Sequence, residues 1–211
     1  MVDLGLALLV VFLVIDFAIS IWNAYMSGFS LTLIAKTPGE KPPLLARAAA
    51  YAGLGLAFAG MSYVMMIVLG FAALQLGFLD GASFSLILAF DFLVFGAMII
   101  GFGLVVTAQS VAVAYRQRSF GTVAISIWNV FAEVMDIAVY AEGFRSAYGT
   151  LKGGGSRDEA NLVAVALMAI AVAFFITYAA YRHGVKRANA LVSGASTRTP
   201  FDRPLPSGVS G

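Results

Sequence analysis

Four acids stand inside long apolar stretches of this chain: Asp16, Asp91, Glu133 and Asp136. Glu133 and Asp136 are one helical turn apart and share a face. They belong to a longer set, Thr122, Ser126, Asn129, Glu133, Asp136 and Tyr140, spaced four, three, four, three and four. Asp16 heads a second set, Asp16, Ser20, Asn23, Ser27 and Ser30, spaced four, three, four and three. Each set lies along one side of a helix. Carboxyl groups strung out with Asn and Ser between them can bind a small cation in place of its water shell or pass a proton along. The same groups, kept neutral, can also serve as hydrogen-bonding glue between helices. Glue needs only one acid per contact, and the close pair Glu133 and Asp136 points beyond it.

The elements carrying these residues must be membrane helices. Of the 211 residues, 61% are hydrophobic and only 11% charged, against about 25% charged in soluble domains. Charge-poor stretches run from about Leu4 to Ile34, Leu44 to Phe78, Ala82 to Tyr115, Phe120 to Tyr148 and Ala160 to Tyr181. Each exceeds the roughly 20 residues that cross a bilayer as a helix. None alternates with the period of a membrane β-strand, and in lipid the backbone must satisfy its own hydrogen bonds, so all five are expected to be helical. The first lacks a basic leader and is too long for a signal peptide's apolar core, which makes it a retained span.

The breaks are a turn cluster at Thr37–Pro43, where Pro42 or Pro43 can open a helix, then Asp80-Gly81, Arg116–Ser119 and the glycine-rich Gly149–Asp158. Ser156 can N-cap the fifth helix, with acids in its first turn. Residues 1–190 thus form a five-helix transmembrane domain, and 191–211 a Ser/Pro/Gly-rich tail expected to be disordered. Of the 13 Lys and Arg residues, ten fall on one side of this arrangement: Lys36, Lys41, Arg47, Arg116, Arg118, Arg182, Lys186, Arg187, Arg198 and Arg203. Positive loops stay inside, so the N-terminus is expected outside and the C-terminus in the cytoplasm.

The string AISIWN occurs at 18–23 and again at 124–129. With five spans the two copies run in opposite directions, as inverted transporter repeats do. A true inverted repeat extends over several helices and this one does not, so chance or convergent packing explains it better. The overlay nonetheless sets Asp16 on Thr122, Ser20 on Ser126 and Asn23 on Asn129. Two such stripes cannot face lipid, and the simplest arrangement has them facing each other or lining one cavity. With no basic residue at their depth, the acids must hold protons, sit in water or bind a cation, because ionisation in hydrocarbon costs roughly 3 kcal/mol or more each. Ala46, Ala50, Gly53, Ala57 and Gly60 on the second span, and Gly96, Gly103, Thr107 and Ser110 on the third, read as close-packing strips. Trp22 and Trp128 read as interfacial anchors.

There is no cysteine and one histidine, His183, so a disulfide framework, a thiolate metal site and a bis-histidine haem are all excluded for this chain alone. No phosphate-binding loop, HExxH, GxSxG or potassium-filter sequence occurs. The basic run Arg182–Arg187 is accounted for by anchoring at the inner face, and no nucleic-acid partner is expected. The expectation is therefore an all-α, polytopic plasma-membrane protein, not an enzyme and without a cofactor. It would handle protons or cations through Asp16, Ser20, Asn23, Asp91, Asn129, Glu133 and Asp136, as a homo-oligomer. The alternative is a non-catalytic subunit of a larger, for example respiratory, membrane complex.

Overall fold

The computed structural model describes residues 4–36, 42–153 and 159–193. All the elements described are helices: α1 Leu4–Lys36, α2 Leu44–Gln75, α3 Gly81–Asp91, a π-helical segment Phe92–Gly96, α4 Ala97–Gln117, α5 Phe120–Gly153 and α6 Glu159–Val192. The segment from α3 through α4 forms one span, so five helices are long and apolar enough to cross a membrane. These are the five spans expected, with longer ends. Helix α6 runs on to Val192, eleven residues past Tyr181, because Arg182, Lys186 and Arg187 are good helix formers and no Pro interrupts them. The turn cluster at 37–41, the loop at 154–158 with its Ser156 cap, and the tail from 194 lie outside the described residues.

The ends have local causes. Pro43 precedes α2, and its carbonyl accepts from the amides of Ala46 and Arg47. Gly77 closes α2 with a positive φ of 75°; the Phe78 amide reaches back to the Ala73 carbonyl and the Gly77 amide to that of Leu74, a Schellman closure that a Cβ would strain. Asp80 then caps α3, its carboxylate accepting from the Ser83 amide at 2.7 Å. Arg118, with φ 48°, ends α4 in the left-handed region, and Ser119 caps α5 through the Thr122 amide.

Three helices, α1, α2 and α6, pack mutually; the third span lies against α2, and among the described residues α5 packs only on the third span. Helix α2 is the central element and is the most buried. Its expected small-residue strip does seat a neighbour: a Cβ on Gly60 would strike the Ser20 hydroxyl and one on Gly53 that of Ser27. The strip on the third span seats α5. Phe92 lies on Gly143, Tyr140 on Gly96 and Glu133 on Gly103, and the Thr107 hydroxyl donates to the Asn129 carbonyl at 3.4 Å. Each step down the third span is matched by a step back along α5, so the two run antiparallel in one register. Asn161 on α6 donates to the Phe78 carbonyl at 3.1 Å, joining the start of α6 to the loop after α2.

The tightest seam joins α1 to α6. A Cβ on Gly28 would collide with the Tyr181 carbonyl, and one on Gly184 with the Tyr25 carbonyl. Two backbones thus meet through reciprocal glycines, flanked by the fully buried Ala24 and Ala188. Small residues permit such an approach in a membrane, where helix association relies on packing.

Candidate functional site

The two polar stripes do not pack on each other, because no helix contact joins α1 to α5. Ser20 and Ser27 of the α1 stripe are buried against the glycines of α2. Asn129 and Glu133 of the α5 stripe meet the third span, where Ser126 is also buried. The expectation of stripes facing each other is corrected by glycine strips on α2 and α4 that accept them separately. The reason is volume: a glycine leaves room for a hydroxyl or a carboxyl group, whereas two opposed stripes would have to fill each other's space.

At one level the stripes still communicate. Asp16 and Asp136 are close enough for their charges to interact, and Tyr63 of α2 lies within the same reach of Asp91, Asp16 and Asp136. Register explains this. The pairs Ser20–Gly60 and Ser27–Gly53 carry α1 along α2 so that Asp16 arrives beside Tyr63 and Val64. Phe84 and Ile87 against Gly70, with Phe102 against Gly55, bring Asp91 and the π segment to the same level. Tyr63, partly buried against the core, thus stands on α2 at the level where Asp16 of α1 and Asp91 of the third span arrive.

The acids differ in their surroundings. Asp91 is 1% exposed, and neither carboxyl oxygen has a hydrogen-bond partner among the described residues. Such a group is costly, since a buried polar atom left unpaired forfeits about 1–3 kcal/mol. It is followed at once by the π segment, whose Phe95 is buried in the core and whose Phe92 stacks on Tyr140 at 5.3 Å between ring centroids. Single π turns inside membrane or soluble helices are rare and concentrate at functional sites. Glu133 is 6% exposed, with its Oε1 unpaired. Asp16 is half-buried, and Asp136 is exposed on the chain's own surface. Asn23 and Asn129 are half-buried.

From Asp91 the polar groups descend the bundle: Tyr63 and Asp16 at its level, Asp136 next, Glu133 one turn further, then Asn129 with Thr107. They form a ladder and do not converge on a point; no three of the described His, Asp or Glu residues are placed to hold one metal ion. Three further hydroxyls, Ser20, Ser62 and Thr177, are buried nearby, and those of Ser62 and Thr177 are without a partner.

Tyr63, Ser62 and Thr177 escaped the sequence analysis, which counted carboxyls and amides along stripes and passed over isolated hydroxyls. The available signal for Tyr63 was a phenol amid an apolar run. Trp22 and Trp128 both point away from the stripes and are exposed.

Comparison with known proteins places nothing beside this chain: no family model matches it, nor does any curated protein or solved structure. The fold defines it as an all-helical protein of five helices able to span a membrane, and the site must speak for the rest.

Proposed function

We propose that this protein moves protons or small cations across the cell membrane, with Asp91, Tyr63, Asp16, Asp136 and Glu133 as successive stations. The observation that carries the reading is Asp91: a wholly buried carboxyl group at the head of a ladder of acids, with neither a hydrogen-bond partner nor a neutralising base among the described residues. Intramembrane acids are rare and mark ion or proton pathways by default. The ladder favours protons within this reading, since a metal cation needs several oxygens at one point and the acids do not gather to supply them.

The test is flux in vesicles containing the purified protein, read with a pH dye and with cation-loaded vesicles. Glu133→Gln should abolish flux while leaving assembly intact, because Gln fills the same space over Gly103 but cannot carry a proton or a charge. Flux that survives neutralising both Glu133 and Asp136 would sink the proposal.

The second reading, a non-catalytic subunit of a larger membrane complex, draws on α5. That helix packs on the third span alone and leaves Asp136 on the surface beside Phe131, Val134, Met135, Ile137 and Val139, all exposed. A partner subunit seated on this exposed face of α5 would cover that acid. Native mass spectrometry of the membrane assembly separates a homo-oligomer from a hetero-complex directly.

For orientation, the proposal is N-terminus outside and C-terminus in the cytoplasm, supported by Lys36, Arg47, Arg116, Arg118, Arg182, Lys186 and Arg187 at one end of the bundle. Reporter fusions after Gly39, Gly81, Gln117, Gly154 and Ala190 should alternate in side, and two consecutive fusions on one side would refute it.

A further inference from the structure

Along the outer edge of the α1–α6 seam runs an open groove of about 510 Å³, almost wholly apolar, lined by Ala18, Ile21, Trp22, Tyr25, Ala180 and His183. It is remote from the acid ladder in angle as well as in residues: Asp16 projects from α1 on the side opposite Ala18, Trp22 and Tyr25, by helical spacing. The wall is aromatic. Trp22 lies 5.9 Å from Tyr25, and Tyr25 lies 5.9 Å from the imidazole of His183, between ring centroids. One end of the groove is therefore hydrocarbon-like, and His183 marks where it becomes polar.

Beyond His183 every charge among the described residues of α6 is positive. Arg187 follows one turn later on the same line of α6, with Lys186 on its flank, and both are exposed. On α1 the line through Trp22, Tyr25 and Phe29 ends at Lys36, also exposed. The only described acid on α6 is Glu159, at its far end, and α1 has only Asp16. A ligand seated here meets a greasy trough at one end and, at the other, a cluster of cations with no acid beside it among the described residues. Arg182 is not part of it: its guanidinium is turned back to the Tyr178 hydroxyl at 3.0 Å, over the Tyr178 ring.

We infer that this groove binds an anionic phospholipid, its acyl chain against Ala18, Ile21, Trp22 and Ala180 and its phosphate between His183, Lys186 and Arg187. The chemistry of both halves is that of one amphiphile. A zwitterionic lipid would fill the trough but bring its own cation to the basic end, and basic pockets between membrane helices select anionic headgroups for this reason. The inference is independent of the transport reading, since none of these residues belongs to the ladder.

Trp22 provides the readout. The chain has two tryptophans, so Trp128→Phe leaves Trp22 as the sole one. In bilayers of phosphatidylcholine containing a small fraction of brominated lipid, brominated phosphatidylglycerol should quench Trp22 several-fold more effectively than brominated phosphatidylcholine at the same fraction. Lys186→Gln combined with Arg187→Gln should remove that preference, each charge being worth about fivefold near the surface, while quenching by phosphatidylcholine stays as it was. In the reciprocal Trp22→Phe protein, Trp128 should show no preference between the two lipids. Equal quenching of Trp22 by both lipids would overturn the inference. So would a preference that survives the double substitution, or one that Trp128 shares.

Discussion

Asp91→Leu should leave the protein at least as stable as the parent, and Asp91→Asn should stop the proposed transport. The first half follows from burial. Asp91 is enclosed by the bundle, and nothing among the described residues donates to or accepts from its carboxyl oxygens. An acid held as structural glue earns its place through hydrogen bonds, and this one makes none. Replacing it with an apolar side chain of similar volume removes the unpaired group and adds contacts with the surrounding core, a change of about 1–3 kcal/mol towards stability. The second half follows from position. Asp91 stands at the head of the ladder, level with Tyr63 and Asp16, and Asn preserves its shape without a titrating proton. Thermal unfolding in detergent and flux in vesicles measure the two halves separately. A clear loss of stability in Asp91→Leu would show that Asp91 has a structural partner. Unchanged flux in Asp91→Asn would remove it from the path.

Gly184→Val should be the most damaging single substitution in the bundle outside the ladder. Its Cβ would fall on the Tyr25 carbonyl and close to the Phe29 amide, both main-chain groups that cannot swing aside as a side chain can. Helices α1 and α6 would have to separate along a seam that also carries Gly28, Ala24 and Ala188. Overpacking a membrane or soluble core typically costs 1–3 kcal/mol, and a collision with backbone belongs at about 3 kcal/mol or above. Gly28→Val should do the same from the other side through the Tyr181 carbonyl. Ala164→Val, on the same helix but exposed, serves as the control and should change the unfolding temperature little. Equal behaviour of Gly184→Val and Ala164→Val would show that the α1–α6 seam is not close-packed.

The spans were legible because bilayer thickness and backbone hydrogen bonding leave few solutions for a chain this apolar. The glycine strips on α2 and the third span were legible too, since small residues every three or four positions have little other use in a membrane. What each strip would hold was not. Gly53 and Gly60 receive serines and Gly103 receives Glu133, and that pairing depends on which helices become neighbours, which five similar apolar segments do not declare. Hence the polar stripes of α1 and α5 were expected to face each other or to line one cavity, and the first of these fails because α2 and the third span stand between them. The Gly28–Gly184 contact was hidden for a related reason: each glycine is alone in its own stretch of sequence, and only the fold makes them a pair. The π turn at Phe92–Gly96 left no mark at all, because its five residues Phe, Leu, Val, Phe and Gly suit an ordinary apolar helix equally well.

That turn also decides where this fold can gain or lose a residue. A π turn takes up one more residue than an α turn. Deleting one position within 92–96 would restore regular winding and keep α3 and α4 whole with their faces in register, because the wide turn is what absorbs the extra residue. Asp91 is the residue next to the cut. A one-residue deletion in α2, by contrast, would split the strip of Gly53 and Gly60 that seats α1. The third span is therefore the place in this architecture where the loss of a residue is survivable. Among descendants of this chain, the loss of one residue at that point would remove the wide turn that follows Asp91 and leave the bundle standing.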